Sequence, residues 1–73
     1  MQQQKWITCK VFDGMFSDEL VVELGNRSFF VESSSVRNRA NDSGEIRVTI
    51  VEAEGRKWAV MPTRTSETVL LDA

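Results

Sequence analysis

The strongest constraint on this chain is a rhythm of two. Apolar and polar residues alternate in short runs, each closed within a few residues by glycine, asparagine or proline, and no ten-residue window carries helical spacing. Successive side chains of a strand point to opposite faces, so period two marks strands with one face toward a core.

The first run starts at Lys5, with Ile7, Cys9 and Val11 on one side and Trp6, Lys10 and Phe12 on the other. Asp13-Gly14 predicts a tight hairpin turn, after which Met15-Phe16 pairs back and Ser17-Asp18 kinks the chain. A second strand over Glu19 to Leu24 places Leu20, Val22 and Leu24 together. Gly25-Asn26 turns it into a third, Ser28 to Glu32, with Phe29 and Val31 inward and Phe30 outward. The clearest strand has Ile46, Val48 and Ile50 on one face and Arg47, Thr49 and Val51 on the other. A fifth runs from Lys57 to Met61, with Trp58 and Val60 assigned to the core, and Pro62 ends it because proline cannot donate to a ladder. Val69 to Leu71 is either an edge strand or one helical turn, and any other helix is confined to a turn near Ser33 to Val36.

Two of these hairpins resemble each other. Val22-Glu23, a glycine turn, and Phe29 two residues before Val31 match Val51-Glu52, a glycine turn, and Trp58 two residues before Val60. The match predicts Phe29 and Trp58 as equivalent core anchors, with Phe30 and Ala59 outside.

Five or six short antiparallel strands joined by tight turns make an all-β fold, a small single-domain barrel over residues 1–73. An SH3-like barrel fits the strand count and length first, and an OB-like barrel or other small β-sandwich second. Residues 1–4 are expected to be disordered. Residues 37–44, Arg-Asn-Arg-Ala-Asn-Asp-Ser-Gly, are rich in side chains that bond their own backbone and are expected to form a mobile loop.

The chain has 73 residues, no histidine and a single cysteine, Cys9. Serine or cysteine nucleophiles need a neighbouring base, and the triads are excluded by composition. Neither a disulfide nor a cysteine-histidine metal site can form within one copy. Cys9 alternates with Ile7 and Val11 and reads as a small core residue. The carboxylates are spread singly along outward strand positions, and the glycines stand alone at turns. The expectation is therefore a non-enzyme without catalytic residues, cofactor or metal, and an N-terminus lacking an apolar run points to the cytoplasm and away from membranes.

Two surface features remain. Trp6, Phe12, Val21, Phe30, Val51 and Met61 are apolar residues assigned to the side away from the core, and together they suggest an interaction face for a protein partner or a second copy. From Val36 to Arg64 there are six basic residues against four acidic ones, in a chain of net charge −2. Arg37, Arg39, Arg47, Arg56 and Lys57 form a candidate basic patch for single-stranded nucleic acid. The leading expectation is a non-catalytic protein-interaction or scaffold module, able to self-associate; the alternative is a small nucleic-acid-binding barrel.

Overall fold

The computed structural model describes residues 2–71 and is all-β, one antiparallel sheet curled into a half-barrel. In chain order the strands are β1 (Gln2–Asp13), β2 (Glu19–Leu24), β3 (Arg27–Glu32), β4 (Val36–Ala40), β5 (Ser43–Ala53), β6 (Arg56–Val60) and β7 (Thr68–Leu70). One turn of 3-10 helix, Ser33–Ser35, stands between β3 and β4, where the sequence admitted such a turn. The C-terminal apolar segment is a strand.

The spine of the sheet is the pairing of β1 with β5, from Gln2 opposite Val51 to Lys10 opposite Ser43. Each spine strand carries further strands on its other edge: β2 lies against the C-terminal end of β1, while β4 and then β6 lie end to end along β5. Because β1 and β5 are antiparallel, the β2–β3 hairpin and the β6–β7 pair sit at opposite ends of the spine. This stagger lets one sheet curl over a single core.

That core is built from the inward side of the curl. Val11, Val22, Phe29, Ile46, Val48, Ala59 and Met61 are each at most 2% exposed, with Ile7, Leu24, Val36 and Ile50 packed around them. Cys9, Leu20 and Val31 join it as their alternation required, and Val69 of β7 completes it. Burial pushes the Cys9 thiol above its ordinary pKa, so it stays protonated at neutral pH.

Four sequence assignments are corrected. Ala59 and Met61, at 0% and 1% exposure, point into the core, whereas Trp58 and Val60 face outward and are half-buried. The register explains why: Val51 lies opposite Trp58 and Ile50 opposite Ala59, so the inward Ile46-Val48-Ile50 face of β5 forces Ala59 inward and Trp58 outward. Residues 37–44 are not an open loop, since β4 pairs with β5 across a bulge between Arg37 and Ala40. Arg37 Nε and Asn38 Nδ2 donate to Glu45 Oε1 at 2.8 and 2.9 Å, pinning a strand that has few apolar side chains. Gln2–Gln4, expected to be disordered, extend β1 along β5. Finally, Asp13-Gly14 is not a two-residue hairpin turn. Gly14 is required there for close approach, because a Cβ would stand 2.7 Å from the Glu19 carbonyl oxygen.

Candidate interaction surface

The two ends of the sheet path, β3 and β7, approach each other without a backbone ladder; among the described residues β3 pairs only with β2. At one end this seam is bridged by Arg27. Its Nη1 donates to the Thr68 carbonyl at 2.7 Å, its Nη2 lies 3.5 Å from Glu67 Oε2, and its guanidinium rests over the Phe29 ring, 5.0 Å from the centroid. At the other end the seam opens into a cleft of about 670 Å³.

The floor of the cleft is Phe30, Val31 and Glu32 of β3. Consecutive strand residues point to alternate faces, so a cleft lined by all three takes in the edge of the strand as well as its outer face. One wall is Phe16, Asp18 and Glu19. This wall is a built loop: Gly14 N donates to the Glu19 carbonyl at 3.0 Å, Glu19 N to the Phe16 carbonyl at 3.1 Å, and Met15 N to Glu19 Oε1 at 3.1 Å. With its backbone bonds turned inward, the loop presents Met15 and Phe16 to solvent, 85% and 66% exposed. The other wall is Pro62, Thr63 and Arg64. Here Met61 N donates to the Glu67 carbonyl at 2.7 Å and Glu67 N to Thr63 Oγ1 at 3.2 Å, folding the connection onto itself.

The outward apolar residues named from the sequence do not share one patch. Phe12, Val21 and Phe30 lie directly opposite one another across β1, β2 and β3, forming an apolar rung that ends at the cleft. Val51 belongs to a second rung with Trp58 and Leu70 at the far end of the spine. Trp6 lies between them, roughly 20 Å from Phe12 along β1, its ring covered by the Arg37 guanidinium at 4.2 Å from the centroid. Met61 is in the core. Phe16, Trp58 and Leu70 join the surface from outside that set, since the alternation places Phe16 on a returning strand and Trp58 in the core.

The basic residues are similarly dispersed. Arg37 is bonded to Glu45, and Arg39 Nη1 contacts Asp13 Oδ1 at 2.9 Å. Arg47 lies opposite Trp6, and Arg56 and Lys57 lie at the start of β6, opposite Ala53 and Glu52. The six steps along β5 from Arg47 to Ala53, which lies opposite Arg56, put Arg47 and Arg56 roughly 20 Å apart.

Charge around the cleft has the opposite sign. Glu19 and Glu32 are directly opposite each other on the outer face. Like charges in that relation repel. Asp18 adds a third carboxylate, against the single guanidinium of Arg64. Ion pairs among the described residues join Arg27 to Glu67, Arg37 to Glu45 and Arg39 to Asp13, and involve none of these cleft residues. No known protein family, curated protein or solved structure matches the chain.

Proposed function

We propose that this domain is a non-catalytic protein-interaction module that engages its partner at the seam cleft. The observation that carries the reading is the pair Phe16 and Phe30, 66% and 60% exposed, on one wall and the floor of the same open cleft. Exposed aromatic side chains grouped at a concavity supply the large, low-entropy contact area that anchors protein interfaces. The rung from Phe30 through Val21 to Phe12 extends that apolar surface, and charged residues border it.

Selection of a displayed peptide and small-domain library on the wild-type protein tests the reading. Selected clones should lose about tenfold or more in affinity for the Phe16→Ser/Phe30→Ser variant, while its melting temperature stays close to wild type. Equal binding to both proteins, or no selected binder, would overturn it. Sedimentation velocity covers the case of a second copy as partner, since association would be lost in the same variant.

Single-stranded nucleic acid is the competing reading, resting on Trp6 opposite Arg47. It draws less support because Arg37 and Arg39 have carboxylate partners and Arg47 lies far from Arg56 and Lys57. A labelled oligonucleotide whose binding weakens on Arg47→Ala would favour it.

A further inference from the structure

We propose, building on the interaction reading above, that the occupant of the seam cleft is an extended basic peptide that adds to β3 as a new edge strand. Three independent features of the cleft point to this chemistry. The first is the backbone. The edge of β3 away from β2 has no ladder partner among the described residues, and the cleft is lined by Phe30, Val31 and Glu32 of this strand and by Pro62, Thr63 and Arg64. Natural edges are commonly blunted by a central lysine, a proline or a bulge. β3 reads Arg27-Ser28-Phe29-Phe30-Val31-Glu32, with charge only at its ends, and pairs with β2 in unbroken register.

The second feature is the shape. Pro62, Thr63 and Arg64 stand across from the β3 edge, and the Arg27 bridge closes the seam beyond it. An extended segment can approach along the edge between those walls, whereas a second sheet approaching edge to edge would meet them. The cleft therefore favours a single peptide strand over another copy of the domain.

The third feature is the charge. Glu32 already faces Glu19 across the ladder. A strand added on the open side of β3 would place one of its residues directly opposite Glu32, and a lysine or arginine there meets a carboxylate that has no ion-pair partner among the described residues, at a cleft where Asp18, Glu19 and Glu32 outnumber Arg64. Two positions along the same face, the added strand meets Phe30, itself flanked by Val21 and Phe12. An aromatic or branched aliphatic residue extends that rung. The pattern recognised is accordingly a basic residue and an apolar residue separated by one, in extended conformation. Main-chain bonds supply affinity in this mode, and alternate side chains supply specificity.

The test uses an acetylated, amidated hexapeptide of sequence threonine-arginine-valine-phenylalanine-valine-threonine, titrated into the labelled full chain and followed by amide chemical shifts. The expected result is a saturable shift of β3 amides. Replacing the arginine by glutamate should weaken binding by about tenfold, an effect that shrinks as salt is raised. In an edge strand alternate amides face the sheet, so N-methylation of one alternate set should abolish binding and N-methylation of the other set should leave it. Glu32→Lys should reverse the preference toward the glutamate peptide.

Absence of any shift at about 2 mM peptide, weaker than any useful recognition, would overturn the proposal. Equal tolerance of both N-methylated sets, or an unchanged charge preference in Glu32→Lys, would overturn it as well. Failure here is separable from failure of the interaction reading. If library clones still depend on Phe16 and Phe30 but shift Phe12 and Val21 without touching the β3 edge, the module stands and strand addition falls. If no clone depends on those phenylalanines, both fall.

Discussion

The β2–β3 and β5–β6 hairpins are near copies in backbone and opposites in orientation. Both turn through two residues in the left-handed region, Gly25 and Asn26 in one, Glu54 and Gly55 in the other. This is the type I′ geometry whose twist suits a two-residue hairpin. In both, a valine faces an aromatic ring across the ladder, Val22 opposite Phe29 and Val51 opposite Trp58. Yet Val22 and Phe29 are buried in the core at 0% and 2% exposure, whereas Val51 and Trp58 lie on the outer face, half-buried. A turn fixes which residues face each other across a hairpin. Which side of the sheet the pair occupies depends on the strand beyond, here on how β5 pairs with β1.

The largest consequence is a gap in stability between the two aromatic residues. Phe29→Ala removes a ring from the middle of the core and should cost about 3–5 kcal/mol, most of what a domain of this size holds. Trp58→Ala removes a ring already partly in water and should cost about 1–2 kcal/mol on area grounds, leaving a folded protein. Urea unfolding of the two variants measures the difference. Equal losses would place both rings in the core and contradict the assigned face of β6.

The turns differ by less. Glu54 holds a φ of 54° without the freedom of glycine, while Gly25 occupies the first turn position of the other hairpin at 62°. Glu54→Gly should therefore stabilise the domain by up to about 1 kcal/mol, read as a higher urea midpoint at unchanged slope. No change, or a loss, would mean that the Glu54 side chain makes good the strain.

A smaller effect separates the ladders by charge. Hydrogen bonds from Asn38 and Arg37 hold the Glu45 carboxyl below its usual range. A depressed folded-state pKa gives stability that is present above the ordinary carboxylate value and lost as pH falls through the folded value. The melting temperature of wild type should thus exceed that of Glu45→Gln near neutral pH, and the two should converge in acid. At the Glu19–Glu32 rung the sign is reversed. Glu32→Lys turns a repulsive pair into an attractive one and should raise stability by a few tenths of a kcal/mol at low salt, roughly the scale of one cross-strand pair.

Much of this architecture could be read from the chain. Ile46 and Val48 announce their face because polar neighbours flank them on both sides, and Val11, Val22 and Phe29 because each has a polar neighbour on one side. Trp58-Ala59-Val60-Met61 is continuously apolar, so either parity satisfies it and only the partner strand decides. The information was nevertheless present, since a two-residue turn at Glu54-Gly55 already sets Trp58 opposite the outward Val51. β4 is hidden in the sequence for a different reason. Past Val36 it has no large apolar side chain, and it is held by backbone pairing and by Glu45. The cleft arises where three distant segments meet, with Phe16 carried on a loop read as strand. Of its features, the Glu19–Glu32 rung alone follows from local register through Gly25-Asn26.

β3 has one bonded edge and one open edge, and amide hydrogen exchange compares it directly with β6, which is paired with β5 on one side and β7 on the other. In the isolated protein, protection along β3 should alternate, every second amide exchanging rapidly, while Trp58, Ala59 and Val60 are protected without interruption. Unbroken protection along β3 as well would mean that its outer edge is already covered, and would contradict the open seam on which the proposed site rests.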